Sequence, residues 1–368
     1  MGAVLILLTL GLAFANGAND VSKGIATLVG SGTTKYRAAV MWGAAWTLGG
    51  GLAAAFLSQG LVETFRGKGL LVNPPGGSAF LLSVACGAIA WLLFANATGL
   101  PVSTTHALTG ALCGAGIMAA GASGVAWATV AKKVALPLAL SPILSLAVML
   151  VLSPLLAPVL RRFHRFCVCL ERREAVPAVP AGAAASVSAS VSASELPSVG
   201  VLSGSACPPD MLVRINALDS LHWISSGATS FFRGLNDTPK ILALGFAAAA
   251  VWGTGLGGFY VAVALAMALG SALGGFRVTE TLATKVTKMS PDEGLLANLT
   301  TSALVGAASF WALPVSTTHV SCGAIIGIGA ESKENRLQWR TVREMLLAWV
   351  VTLPAAALVA ALAFRLLD

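Results

Sequence analysis

Two aspartates and two clusters of hydroxyls lie inside otherwise apolar stretches of this chain. Asp20 closes Gly17-Ala18-Asn19-Asp20 and stands three residues before Lys23; Asp237 closes Gly234-Leu235-Asn236-Asp237 and stands three before Lys240. Pro101-Val102-Ser103-Thr104-Thr105-His106 recurs letter for letter as Pro314-Val315-Ser316-Thr317-Thr318-His319. An ionised carboxylate in an apolar membrane interior costs about 3 kcal/mol on insertion scales, so it persists only beside a cation or in a polar cavity. Pairing of Asp20 with Lys23 and of Asp237 with Lys240 would meet that need structurally. Two copies of the same arrangement favour a functional role for both acids.

Ser103, Thr104 and Thr105, like Ser316, Thr317 and Thr318, follow a proline at a predicted helix start. A helix N-terminus carries unpaired N–H groups and the positive end of the dipole, which suit an oxyanion. Two such ends facing each other would wrap a tetrahedral anion with donors. N-capping accounts for one hydroxyl per helix but not for three. Carboxylates beside an anion call for cations. Na⁺ is hard and takes oxygen ligands, and Asp20, Asp237, the amides of Asn19 and Asn236 and carbonyls of unwound backbone are suitable. An oxyanion that keeps a proton near neutral pH can donate to a carboxylate, whereas a fully ionised one such as sulfate meets repulsion; such matching discriminates by orders of magnitude. His106 and His319 are expected to pack or hydrogen-bond locally, with proton coupling as the alternative. Lys23 and Lys240 are expected to pair with the acids or to snorkel. Arg233, which takes the place of Asn16 in the second copy, could reach an anion at a cytoplasmic entrance.

The elements that position these residues come from an internal duplication. Position 17 maps onto 234, 20 onto 237 and 23 onto 240 at one offset, which also carries Phe14 onto Phe231 and Glu63-Thr64 onto Glu280-Thr281. The chain is 56% hydrophobic and 10% charged, against about 25% charged in soluble domains. Residues 38–62, 69–131, 134–160, 241–276 and 294–330 contain no Asp, Glu, Lys or Arg. Stretches of this length hold spans of about 20 residues, and their pattern is not strand-like alternation. The chain therefore reads as an all-α polytopic membrane protein. A net charge of +8 is carried by loops, where Lys and Arg set topology, so nucleic acid is not an expected partner.

Apolar segments are predicted near 2–15, 21–31, 38–62, 79–97, 101–121 and 134–160, then 219–233, 238–252, 258–276, 294–312, 314–330 and 341–367. Interruptions are expected at Gly17 and Asn19-Asp20, at Gly99 to Pro101, and at Gly234 and Pro239; short interrupted segments at matching positions of two halves point to a transporter site. Three regions follow: a transmembrane repeat over 1–160, a basic, low-complexity cytoplasmic linker over 161–215, and a second repeat over 216–368. Within the linker, 171–210 is rich in Ala, Ser, Val and Pro and is expected to be disordered. An odd number of crossings per half would make the repeats inverted, with Met1 outside. The arginines at 161–173, Lys35, Arg37 and the 333–343 loop then fall inside, and Lys132 and Lys133 outside, against the positive-inside trend. The N-terminal apolar stretch lacks a basic start and is expected to be retained rather than cleaved. Cys86, Cys113 and Cys322 are expected to be buried, and Cys167 and Cys169 to be free thiols. No nucleotide-binding Gly-x-x-x-x-Gly-Lys-Ser/Thr loop is present, and two equivalent half-sites fit a carrier better than an enzyme. No resident cofactor is expected.

The two Gly-x-Asn-Asp tetrapeptides and the paired hexapeptides resemble those of the inorganic phosphate transporter (PiT) family of membrane symporters. The resemblance spans nearly the whole chain apart from the linker. It implies two inverted repeats with broken or re-entrant helices around a central phosphate, a Na⁺ or H⁺ coupling ion, a homodimer with elevator-like movement, and residence in the plasma membrane. Carried over by position, it implies that Asp20, Ser103, Thr104, Thr105, Asp237, Ser316, Thr317 and Thr318 contact phosphate or the coupling Na⁺; taken with the oxygen-ligand chemistry above, all eight are candidates for phosphate, and Asn19, Asp20, Asn236 and Asp237 for Na⁺. The reading that results is Na⁺-coupled phosphate import, with a proton-coupled phosphate, metal-phosphate or sulfate carrier as the alternative. The chain departs from the family pattern at Leu235, at Arg233 and at Lys240 after Pro239.

Overall fold

A computed structural model describes all residues except 67, 68, 74, 76, 164, 165, 174–195, 204–212, 250–254 and 332–336. The first half runs through α1 (Gly2–Asp20), α2 (Ser22–Gly30), α3 (Tyr36–Leu57), α4 (Gln59–Phe65), α5 (Ser78–Thr98), α6 (Thr104–Ala120), α7 (Trp127–Thr129) and α8 (Leu136–Phe163). The second runs through α9 (Ala217–Ala249), α10 (Gly255–Leu273), α11 (Phe276–Glu280), α12 (Pro291–Phe310), α13 (Thr317–Glu331) and α14 (Trp339–Leu367). Among the described residues, six stretches are long and apolar enough to cross a membrane: Gly2–Gly30, Tyr36–Leu57, Ser78–Thr98, Trp127–Leu160, Gly255–Leu273 and Trp339–Leu367. Large apolar side chains such as Phe56, Leu155, Leu347, Val350 and Leu358 face outward, while Asn, Asp, Lys, Ser and Thr are buried. That inversion of the soluble pattern is what a lipid-facing exterior requires.

The halves exchange their helices. Gly17 on α1 lies against the Met267 carbonyl on α10, and Gly270 on α10 against Phe14 of α1. Gly50 on α3 lies against Phe231 of α9, and Gly234 on α9 against Thr47 of α3. Likewise α6 packs on α14, with Gly110 at Leu353, and α13 packs on α8, with Gly323 at Pro142. At these contacts a Cβ would collide with the partner's backbone, so small residues set the close helix approach expected of membrane packing.

Three expectations are corrected here. Asn19 and Asp20 are not in unwound backbone: α1 and α2 are joined at Val21, whose φ of −55° and ψ of −33° keep the chain helical. Segment 219–233 and the described part of 238–252 are one helix, α9, passing through Gly234 and Pro239 without a break. Gly17 and Gly234 serve close packing, not interruption. The linker is also not uniformly unstructured. β1 (Phe166–Arg173), β2 (Leu196–Ser203) and β3 (Val213–Asn216) form an antiparallel sheet in the order β2-β1-β3. The alternation Phe166, Val168, Leu170 suits a strand; the rest of the tract expected to be disordered lies outside the described residues, as do the side chains of Cys167 and Cys169. Cys113 and Cys322 are buried as expected, and Cys86 is half-buried.

The interruptions before the hexapeptides are present. Gly99 ends α5 with φ +75°, and Leu100 N–H returns to the Ala95 carbonyl at 3.0 Å. At the matching place Ala312 has φ +53°, and Leu313 N–H returns to Ala308 at 2.9 Å. Each is a left-handed helix ending, where glycine is the residue without steric penalty.

Candidate functional site

Each hexapeptide delivers its hydroxyls in the same way. Ser103 caps α6, its Oγ accepting from His106 N–H at 3.2 Å, and Ser316 caps α13 by accepting from His319 N–H at 3.2 Å. The following threonines cross to the other half. Thr105 Oγ1 donates to the Val315 carbonyl at 3.2 Å, and Thr318 Oγ1 donates to the Val102 carbonyl at 2.8 Å. The two helix starts are thus stitched to one another by reciprocal bonds. Thr104 lies beside the first acid, 3.5 Å from Asp20 Oδ2, and Thr317 is buried in the first turn of α13.

The acids are buried against lysines. Lys23 Nζ lies 2.5 Å from Asp20 Oδ1, with side chains 0% and 1% exposed; Lys240 Nζ lies 3.1 Å from Asp237 Oδ1, with side chains 0% and 2% exposed. Lys23 also donates to Asn19 O at 3.1 Å and Asn19 Oδ1 at 2.7 Å. Lys240 also donates to Thr105 Oγ1 at 2.9 Å and to the Val315 carbonyl at 3.0 Å. Pairing, not snorkelling, is therefore what both lysines do. A buried charge is tolerated when its partner is close and its donors are all used.

The asparagines of the tetrapeptides brace the hairpin loops. Asn19 Nδ2 donates to Asn96 Oδ1 at 2.9 Å and to the Leu100 carbonyl at 3.2 Å. Asn236 Nδ2 donates to Asp237 Oδ1 at 3.2 Å and the Val315 carbonyl at 3.4 Å, while Ser309 donates to Asn236 Oδ1 at 3.4 Å. A cation at the acids would find Asp20, Asp237 and the Asn19 and Asn236 side-chain oxygens nearby, but not carbonyls freed by unwinding of α1 or α9.

Asn16 joins the two halves. Its Nδ2 lies 3.0 Å from Asp20 Oδ2, 2.8 Å from Thr104 Oγ1 and 3.5 Å from Asp237 Oδ2. In the sequence Asn16 stands out only as the counterpart of Arg233; the signal available there is an amide in an apolar stretch, one turn before the acid. Arg233 is 1% exposed and bonds through Nη2 to Thr47 Oγ1 and, at 3.1 Å, to Ser271 Oγ. Its Nε and Nη1 have no hydrogen-bond partner, and it lies within electrostatic reach of both acids. Thr47 and Ser271, which orient Arg233, carried no signal of their own.

His106 and His319 sit behind the stitched helix starts. Their rings are 4.6 Å apart, and His319 stacks on Trp349 at 4.0 Å while its Nδ1 meets the Leu138 carbonyl at 2.9 Å. They line a separate, mainly apolar cavity with Val134, Leu138 and Trp349. This matches the packing reading of the pair.

Comparison with known proteins shows the family of the chain. A model of the phosphate transporter family matches residues 16–360. A probable low-affinity inorganic phosphate transporter of Rhizobium meliloti (strain 1021) is 28% identical over 99% of this chain and 96% of its own length. One of Bacillus subtilis (strain 168) is also 28% identical, over 99% and 96%. A solved structure described as a sodium-dependent phosphate transporter superposes with a TM-score of 0.76 over 100% of this chain and 98% of its own, at 20% identity.

Proposed function

Because this chain belongs to the phosphate transporter family, whose members are carriers rather than enzymes, we propose that it imports inorganic phosphate by alternating access at the cluster around Asp20 and Asp237. The observation that carries the reading is the convergence of both acids, Asn16 and Thr104 at one buried point beside the stitched helix starts. Donors from Asn16, Thr104, Thr317 and the two helix N-termini suit a tetrahedral oxyanion. Asp20 and Asp237 accept the proton that phosphate retains, which disfavours sulfate.

The exchanged packing of equivalent helices supports an inverted-repeat arrangement, with the stitched hairpins moving as an elevator-like unit against α3 and α10. A homodimer in the plasma membrane, with the 161–215 linker in the cytoplasm, completes the reading. Na⁺ as the coupling ion is supported by the fold of the sodium-dependent relative. Proton coupling is favoured by a different observation: each acid already has a buried lysine as its partner.

The test is uptake of radiolabelled phosphate into proteoliposomes under an imposed Na⁺ gradient, an imposed pH gradient, or neither. Uptake that either gradient drives and that excess sulfate leaves unchanged is expected. Absence of uptake under all three conditions would overturn the carrier reading.

A further inference from the structure

The lysines at the acids have an unusual set of neighbours. An ammonium has three N–H donors and no acceptor, and each of these two spends all three on oxygen. Around Lys23 Nζ stand Asp20 Oδ1, Asn19 Oδ1 and the Asn19 carbonyl, at 2.5, 2.7 and 3.1 Å. Around Lys240 Nζ stand Thr105 Oγ1, the Val315 carbonyl and Asp237 Oδ1, at 2.9, 3.0 and 3.1 Å. A carboxylate, a carbonyl and a neutral side-chain oxygen make up each shell. That mixture is what a hard cation selects. We infer that the Nζ atoms of Lys23 and Lys240 are tethered cations, seated where a coupling Na⁺ would otherwise bind to Asp20 and Asp237, so that phosphate binding and transport by this chain need no Na⁺ at either acid.

The charge balance leads the same way. Outside the histidines, the buried charged side chains among the described residues are Asp20, Lys23, Arg233, Asp237, Lys240 and, at the first turn of α12, Asp292. The cluster thus holds two carboxylates and three cations, one positive charge in excess before any ion arrives. The excess suits an anion directly. A Na⁺ at either acid would add a second cation at contact distance from a fixed ammonium, where repulsion in a poorly screened interior is large. Arg233, with two of its three nitrogens unpartnered, supplies the surplus.

The inference rests on the phosphate-carrier reading and decides between its two coupling ions. Its test uses purified full-length protein in two ways. In proteoliposomes loaded with unlabelled phosphate, exchange for labelled phosphate is measured in choline and in Na⁺ media. The expected result is a rate that differs by less than about twofold between the media, whereas K23N and K240N, which shorten the side chain and leave an amide oxygen, become Na⁺-dependent by about tenfold or more, as a ligand equilibrium moved from empty to filled requires. K240M, which removes the charge but keeps the seat filled, is slow in both media. Separately, binding of ²²Na⁺ to detergent-solubilised protein is expected to be gained in K23N and K240N. Exchange that stops in choline, or ²²Na⁺ bound by the unaltered protein and lost in D20N, would overturn the inference. Absence of exchange in every medium would instead sink the phosphate reading, and the ²²Na⁺ measurement would still decide whether the lysines hold the cation seats.

Discussion

Asn16 and Arg233 hold matching positions in the two halves, yet Asn16 reaches both aspartates while Arg233 turns to Thr47 and Ser271. The duplicated frame is therefore symmetric in its stitching and asymmetric in its charge. A neutral amide can sit between two carboxylates because it donates to both. A guanidinium placed there would bind them and block a substrate anion.

Replacement of Asn16 by Leu removes the donor shared by Asp20, Thr104 and Asp237. Each buried hydrogen bond left unmade costs about 1–3 kcal/mol. Phosphate uptake is expected to fall by about one to two orders of magnitude while the protein remains monodisperse on size exclusion; near-normal uptake would show that Asn16 is a bystander.

Asp20→Asn and Asp237→Asn each leave a buried ammonium without its counter-charge, a change that costs about 3–5 kcal/mol when a buried pair is broken. Uptake is expected to be abolished in both. Circular dichroism after purification separates loss of transport from loss of fold.

The stitching bonds differ in what they carry. Thr318→Val loses one bond, to the Val102 carbonyl, whereas Thr105→Val loses the bond to Val315 and a partner of Lys240. Thr105→Val is expected to reduce maximal uptake by about tenfold more than Thr318→Val, on the scale of one buried charge-assisted hydrogen bond. Equal effects from the two would argue against a role for the Lys240 shell.

Close helix approach predicts a second pattern. Gly17→Ala and Gly50→Ala set a methyl against the carbonyls of Met267 and Phe231, while Gly257→Ala on α10 meets open space. The first two are expected to lower the thermal unfolding midpoint and folded yield, with Gly257→Ala close to the parent. Backbone shifts forced by overpacking cost about 1–3 kcal/mol.

Deletion of residues 176–192 leaves β1 and β2 and removes only chain between them. Uptake is expected to be unchanged. A deletion that extends through Leu196–Ser203 takes out β2, whose pairing with β1 sets the sheet, and its uptake tests whether the sheet supports transport.

The two acids, their lysines and the hexapeptide hydroxyls were legible in the sequence because charge and clustered hydroxyls are costly in apolar segments, and repetition marks them out. The break before each hexapeptide was legible through Gly99 and Pro101. The continuity of α9 was not, since Gly234 and Pro239 have the composition of a break; only the carbonyl of Thr47 beside Gly234 reveals that its small size is needed for contact. Asn96 and Ser309, which brace the loops at matching positions, were illegible because their role depends on a neighbour distant in sequence. The short strands of the linker were missed because β1 and β2 flank a tract dominated by Ala and Ser, which sets the composition of the whole segment.

The exchange of helices bears on how the chain is made. Helix α6 finds its main neighbour in α14, and α1 finds its own in α10, each in the other half of the chain. At about 5–20 residues per second, the first hairpin spends many seconds in the bilayer without its native partner, its small-residue face and buried hydroxyls uncovered. The first half is therefore a waiting intermediate rather than a folded unit, exposed to quality control until the helices of the second half have been made, and termination before α14 leaves α6 without its main neighbour.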